Sequence, residues 1–233
     1  RVRWVINPRL SRGVTLAVET ENAAKLINTA IGLLSAPPSG PVDADPVFAC
    51  LSLGMEKILK LSIGLDGLAR TGRWPSKHTM RATYGHQIEK LDGTARQAIR
   101  DHAEDASAKS YVLAALAECD ADPVITSILS AMQRYAVDGR FHNLDHLATD
   151  QPGESTPLQL WMEIQHAVLS NPAAMHQLHE EADGPFRWPR TVTTAVECSI
   201  RGWVEMYARA WRQGVFGPDA RQVAASLAVG PRS

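Results

Sequence analysis

Val47, Leu51, Gly54, Ile58, Leu61, Leu65 and Leu68 follow one another at a 4-3-4-3-4-3 spacing. That rhythm lays them along one stripe of a helix, and a stripe so long needs another long helix to cover it. Gly54 lies within the stripe and allows a close approach. Asp45 suits the cap of this helix and Pro46 its first position, so a helix is predicted over 45–70. Glu56 and Lys60 stand four apart, off the stripe, where an ion pair supports the helix modestly.

The same reasoning places the other elements. Leu16, Ala23, Leu26, Ile27, Ala30 and Leu34 recur near the helical period over 14–35, and the prolines of "SAPPSGP" end that run. "TGRWPS" reads as a turn, with Ser76 capping a helix over 77–106 whose weak point is Asp92-Gly93. Its stripe is Met80, Tyr84, Ile88, Leu91, Ala95 and Ala98. Further helices are expected at 107–119, 123–137, 157–182, 190–213 and 218–228. Asp122-Pro123 and Gly217-Pro218 mark starts, and Asn171-Pro172 kinks or splits the segment 157–182. The opening "RVRWVINPRLSRG" reads as an arm on the body or as a basic contact to nucleic acid. No sustained strand alternation occurs. The expectation is an all-α fold, a bundle of about seven to eight helices around a central antiparallel long helix pair, 45–70 with 77–106. Residues 1–233 form a single helical domain, and 150–157 is a hinge or a surface loop between two layers.

Composition narrows the function classes. The chain of 233 residues is 45% hydrophobic and carries 24 basic against 25 acidic side chains, a net charge of -1. No global field favours DNA, RNA or an acidic membrane. Cys50, Cys119 and Cys198 are far apart and form no C-x-x-C, which speaks against a disulfide framework or structural zinc. A reducing, cytoplasmic compartment is the simplest expectation. No apolar run reaches the roughly 18 residues a membrane span needs, and no signal peptide is visible. Without a phosphate loop, a nucleophile elbow or an H-E-x-x-H, no cofactor and no metal is expected.

Three polar groupings invite a chemical reading. His166, His176 and His179 with Glu180 offer metal ligands, or else a solvated helix end, since spacing fixes no third ligand. Trp188, Trp203 and Trp211 sit among arginines, as base-stacking residues do. However, Val196, Ile200, Trp203, Tyr207 and Trp211 trace a helical stripe, so core packing explains them better. The segment 134–146 concentrates Arg134, Asp138, Arg140, His142, Asn143, Asp145 and His146 after a helix end, and Asp138-Gly139 makes a corner. Its structural alternative is that Asn143 and Asp145 cap the next turn while the arginines pair with acids.

The segments "CLSLGMEKILKLSIGL" and "YGHQIEKL" resemble the central helix pair of HEPN domains, all-α bundles of bacterial toxin–antitoxin, phage-defence and CRISPR-associated proteins. The matching residues are Gly54, Glu56, Lys57, Leu59 and Lys60, then Gly85, His86, Ile88, Glu89, Lys90 and Leu91. The match covers residues 47–92, within the helix pair 45–106. It implies a metal-independent ribonuclease whose motif is an Arg, usually followed by a polar residue, then four to six residues and a His. The RNA 2′-hydroxyl attacks the adjacent phosphate, His moves the proton and Arg holds the phosphate charge. Two copies commonly meet as a homodimer.

Four pairs have that spacing: Arg73/His78, Arg81/His86, Arg96/His102 and Arg140/His146. On a straight helix His86 lies about 140° around from Arg81. They share a site only across a dimer seam or near a distorted turn. Arg140/His146 sits at a break, where facing is easier, and ranks first. In that reading Arg140 and His146 are catalytic, Asn143 and Asp145 orient the histidine, and Arg134 and His142 bind substrate. Two other classes stay open. One is a non-catalytic interaction module, dimerising through the 47–68 seam or the Trp-rich C-terminal helix. The other is a small-molecule or nucleotide binder at the 134–146 corner.

Overall fold

The structure is a computed structural model and describes residues 8–35, 44–141, 147, 156–181 and 188–230. Its helices are α1 (Pro8–Ser35), α2 (Ala44–Thr71), α3 (Lys77–Thr79), α4 (Ile88–Asp101), α5 (Lys109–Asp120), α6 (Pro123–Val137), α7 (Pro157–Leu169), α8 (Pro172–Glu180), α9 (Arg190–Gln213) and α10 (Gly217–Val223). Among the described residues there is no strand, so the chain is all-α.

Local chemistry accounts for most boundaries. The Asp122 carboxylate accepts from the Val124 and Ile125 amides and opens α6 behind Pro123. Thr156 and Gln159 form a reciprocal capping box at the start of α7. Asn171 accepts from the Ala173 amide at 2.9 Å and starts α8, so the segment 157–182 is split rather than kinked. Helix α1 begins at Pro8, where a missing amide hydrogen is harmless, so the part of the expected arm from Pro8 onward is helical. Asp45 departs from its expected role. It lies inside the first turn of α2, and its carboxylate accepts the Tyr135 hydroxyl at 2.9 Å, joining α2 to α6.

The largest departure is in 77–106. The helix breaks at Gly85, not at Asp92-Gly93. Helix α3 runs into a π-helical turn, Met80–Tyr84, and Gly85 adopts φ 50° before α4 starts at Ile88. The expected weak point holds because Asp92 is an anchor. Its Oδ1 accepts from Trp203 Nε1 at 2.8 Å and from the Tyr207 hydroxyl at 2.9 Å. Its Oδ2 accepts from Arg96 Nε at 2.6 Å, and Arg96 Nη1 donates to Asp120 at 2.8 Å. This buried network joins α4 to α9 and to the end of α5.

The predicted stripe of α2 is buried throughout, with Leu51, Ile58 and Leu65 against neighbours from α1, α4 and α6. A Cβ on Gly54 would come within 2.9 Å of Ile27 Cδ1 and 3.2 Å of Leu26 Cβ, which is why α1 and α2 approach so closely there. Trp203, Tyr207 and Trp211 of α9 are buried too, and Trp211 Nε1 donates to Ser62 Oγ of α2 at 3.0 Å. One continuous core takes side chains from α1, α2, α4, α5, α6, α7, α9 and α10. No described helix is long and apolar enough to cross a membrane.

Candidate functional site

The break at Gly85 has a chemical consequence. A π turn holds one residue more than an α turn, and Gly85 has φ 50° and ψ -121°, a backbone state that side-chain-bearing residues avoid. Together they re-aim the next residue. His86 Nδ1 stands 3.0 Å from Glu56 Oε2 of α2, a contact across thirty residues. On a straight helix His86 would lie about 140° around from Arg81. The distorted turn places it on a buried carboxylate instead.

Glu56 is not the solvated helix partner that its spacing to Lys60 implied. It is 6% exposed, with Oε1 accepting from Lys60 Nζ at 2.6 Å and Oε2 facing His86. Burial alone pushes its carboxyl upward. The hydrogen bonds from His86 and Lys60, with the Lys60 charge, outweigh that and hold it below its ordinary value. Glu56 is therefore an ionised carboxylate at neutral pH and can only accept. It follows that Nδ1 of His86 carries the hydrogen and, in the neutral ring, Nε2 keeps the free lone pair. The His86 side chain is 57% exposed while its partner is buried. An accessible imidazole oriented in this way by a buried carboxylate is suited to taking a proton from a substrate and returning it.

The chain around His86 is unusually basic for a protein near neutrality. From 71 to 88 there are Arg73, Lys77, His78, Arg81 and His86 and no acidic residue. Arg73, Lys77, His78 and Arg81 are exposed and have no ion-pair partner among the described residues. Lys77, His78, Arg81 and Ala82 line an open groove of about 560 Å3. Lys90 extends the surface, donating to the Thr83 carbonyl at 2.7 Å beside the Tyr84 ring.

The other Arg–His spacings fare differently. Arg96 is committed to Asp92 and Asp120, and His102 lies 3.7 Å from Asp66, so that pair is divided between structural contacts. At the 134–146 corner, Arg134 pairs with Glu163 at 2.8 Å and its Nε is buried without a partner, while Arg140 is exposed. His142, Asn143, Asp145 and His146 lie outside the described residues. His176 stands 3.7 Å from Glu180 on an exposed helix face, and His179 Nδ1 donates to the Met175 carbonyl at 2.7 Å. Among the described residues no three His, Cys, Asp or Glu side chains converge on a metal position. The two surfaces expected for an interaction module, the 47–68 seam and the Trp-bearing face of α9, are covered within the chain itself.

Compared with known protein families, curated proteins and solved structures, the chain has no match.

Proposed function

We propose that this chain is an HEPN-like ribonuclease of the bacterial toxin or phage-defence kind, with α2 and α4 as the antiparallel pair that the resemblance implies. Its proton-transfer group is His86, oriented by Glu56, and its phosphate-binding charge comes from Arg81 and Lys77. The observation that carries this reading is the 3.0 Å contact between an exposed imidazole and a buried, ionised carboxylate.

Nε2 of neutral His86 removes the proton from a ribose 2′-hydroxyl. The 2′-oxygen forms a bond to the adjacent phosphorus, the bond from phosphorus to the 5′-oxygen breaks, and the imidazolium returns its proton to that leaving oxygen. The products are a 2′,3′-cyclic phosphate and a 5′-hydroxyl. Glu56 stays ionised and stabilises the transient imidazolium. The cations of 73–81 stabilise charge on the phosphate oxygens.

The test is cleavage of a mixed-sequence RNA in EDTA with end-group analysis of the fragments. Cyclic phosphate ends made by the wild-type chain and lost with His86→Ala support the proposal. Intact RNA after incubation with folded protein defeats it and favours the interaction module, whose dimer then uses a face other than 47–68.

A further inference from the structure

We propose that Trp74 is a stacking platform for one unpaired base, and that the turn and helical segment from Arg73 to Arg81 dock a single RNA strand rather than a duplex. The inference deepens the reading of the 71–88 surface and rests on it for the choice of RNA. The stacking itself is read by binding, without cleavage.

Among the described tryptophans, Trp74 alone is exposed, at 39%. Trp161, Trp203 and Trp211 are buried, and Trp188 stacks on Trp161 with centroids 4.2 Å apart. Exposure here does not mean looseness. The benzo ring of Trp74 lies against Gly64 of α2, where a Cβ would come within 2.1 Å of Cζ2 and 2.2 Å of Cη2. The next residue, Pro75, sits over Gly67 in the same way, 3.1 Å from the position of a Cβ. Two glycines on one helix thus seat the Arg73–Ser76 turn, and the ring is held before any ligand arrives. Ser76 then starts α3, which carries Lys77, and Arg81 follows in the π turn.

The chemistry of a fitting ligand follows from this order. Cations without acidic partners attract a phosphodiester backbone, and a seated, partly exposed indole offers its uncovered surface to a base. A base inside a duplex is covered by its neighbours on both faces, so only an unpaired strand can use the indole.

The experiment measures fluorescence anisotropy of a labelled ten-nucleotide RNA, alone and annealed to its complement, in EDTA at two salt concentrations. The protein is the full chain carrying His86→Ala, so that nothing is cleaved. The single strand is expected to bind at least about tenfold more tightly than the duplex, and Trp74→Leu to lose about tenfold of the single-strand affinity. Trp74→Phe is expected to keep most of it. Arg81→Gln and Lys77→Gln, both at exposed positions, each weaken binding and lower the salt dependence by about one phosphate contact. Equal affinity for strand and duplex, or unchanged affinity in a Trp74→Leu variant that melts like its parent, overturns the proposal. If Trp74→Leu melts early, unchanged affinity in both charge variants overturns it instead. Trp74-dependent binding with no cleavage by the wild-type chain defeats the ribonuclease reading alone. Cleavage with Trp74-independent binding defeats the stacking inference alone.

Discussion

Asp92→Ala removes the shared acceptor of a buried hydrogen-bond network. The carboxylate is 5% exposed and serves three donors: Trp203 Nε1, the Tyr207 hydroxyl and Arg96 Nε. Alanine leaves the two aromatic donors buried without an acceptor, at about 1–3 kcal/mol each. It also strips the buried Arg96 guanidinium of one of its two carboxylates, and breaking a buried pair costs about 3–5 kcal/mol. Asp120 remains beside Arg96 and the three contacts share one group, so the losses overlap; we expect about 4–6 kcal/mol in all. That approaches the whole stability of an ordinary domain, about 5–15 kcal/mol. Asp92→Asn keeps Oδ1 for Trp203 and Tyr207 but sets an amide N–H against Arg96 Nε, and should cost about 3–5 kcal/mol, the loss of the buried pair alone. Urea unfolding followed by far-UV circular dichroism measures both, with the slope as a check that the unfolded state is unchanged. A loss under about 1 kcal/mol for Asp92→Ala at unchanged slope would refute the claim that this network fastens α4 to α9.

Gly64→Ala drives a methyl into the Trp74 ring and should cost about 1–3 kcal/mol despite the better helix propensity of alanine, with a loss of Trp74-dependent RNA binding; a more stable protein with intact binding contradicts the seating of the ring. Glu56→Gln tests the ionisation of the dyad. The folded Glu56 carboxyl lies below its ordinary value of 4.5, so its stabilisation is full above that pH and fades as the pH falls through the folded value. The difference between wild type and Glu56→Gln should therefore be about 1–3 kcal/mol at pH 7 and shrink towards pH 3; a difference constant with pH contradicts it.

Much of this architecture is legible in the sequence because it follows from short-range rules. The 47–68 stripe, the Asp122 and Ser76 caps and the Asn171-Pro172 split each depend on residues a few positions apart. The His86–Glu56 pair does not. A helical wheel assumes a straight helix, and the π turn at Met80–Tyr84 breaks that assumption where it matters. The one local signal is Gly85 directly before His86, the residue type that tolerates a positive φ. The burial of Glu56 is hidden from the sequence for a different reason. An amphipathic reading gives each helix one buried face, but α2 is enclosed by α1, α4, α6 and α10, so positions off its stripe are buried as well. Asp92 likewise gained its role from Trp203 and Tyr207, more than a hundred residues away.

The most direct measurement sets two histidines against each other. RNA cleavage is followed in EDTA at pH 7 for the wild-type chain, His86→Ala and His146→Ala, each checked for folding. His86→Ala is expected to lose about 10²–10⁴-fold in rate while His146→Ala cleaves like wild type. Loss of cleavage in His146→Ala with His86→Ala fully active contradicts it and returns the chemistry to the 134–146 corner.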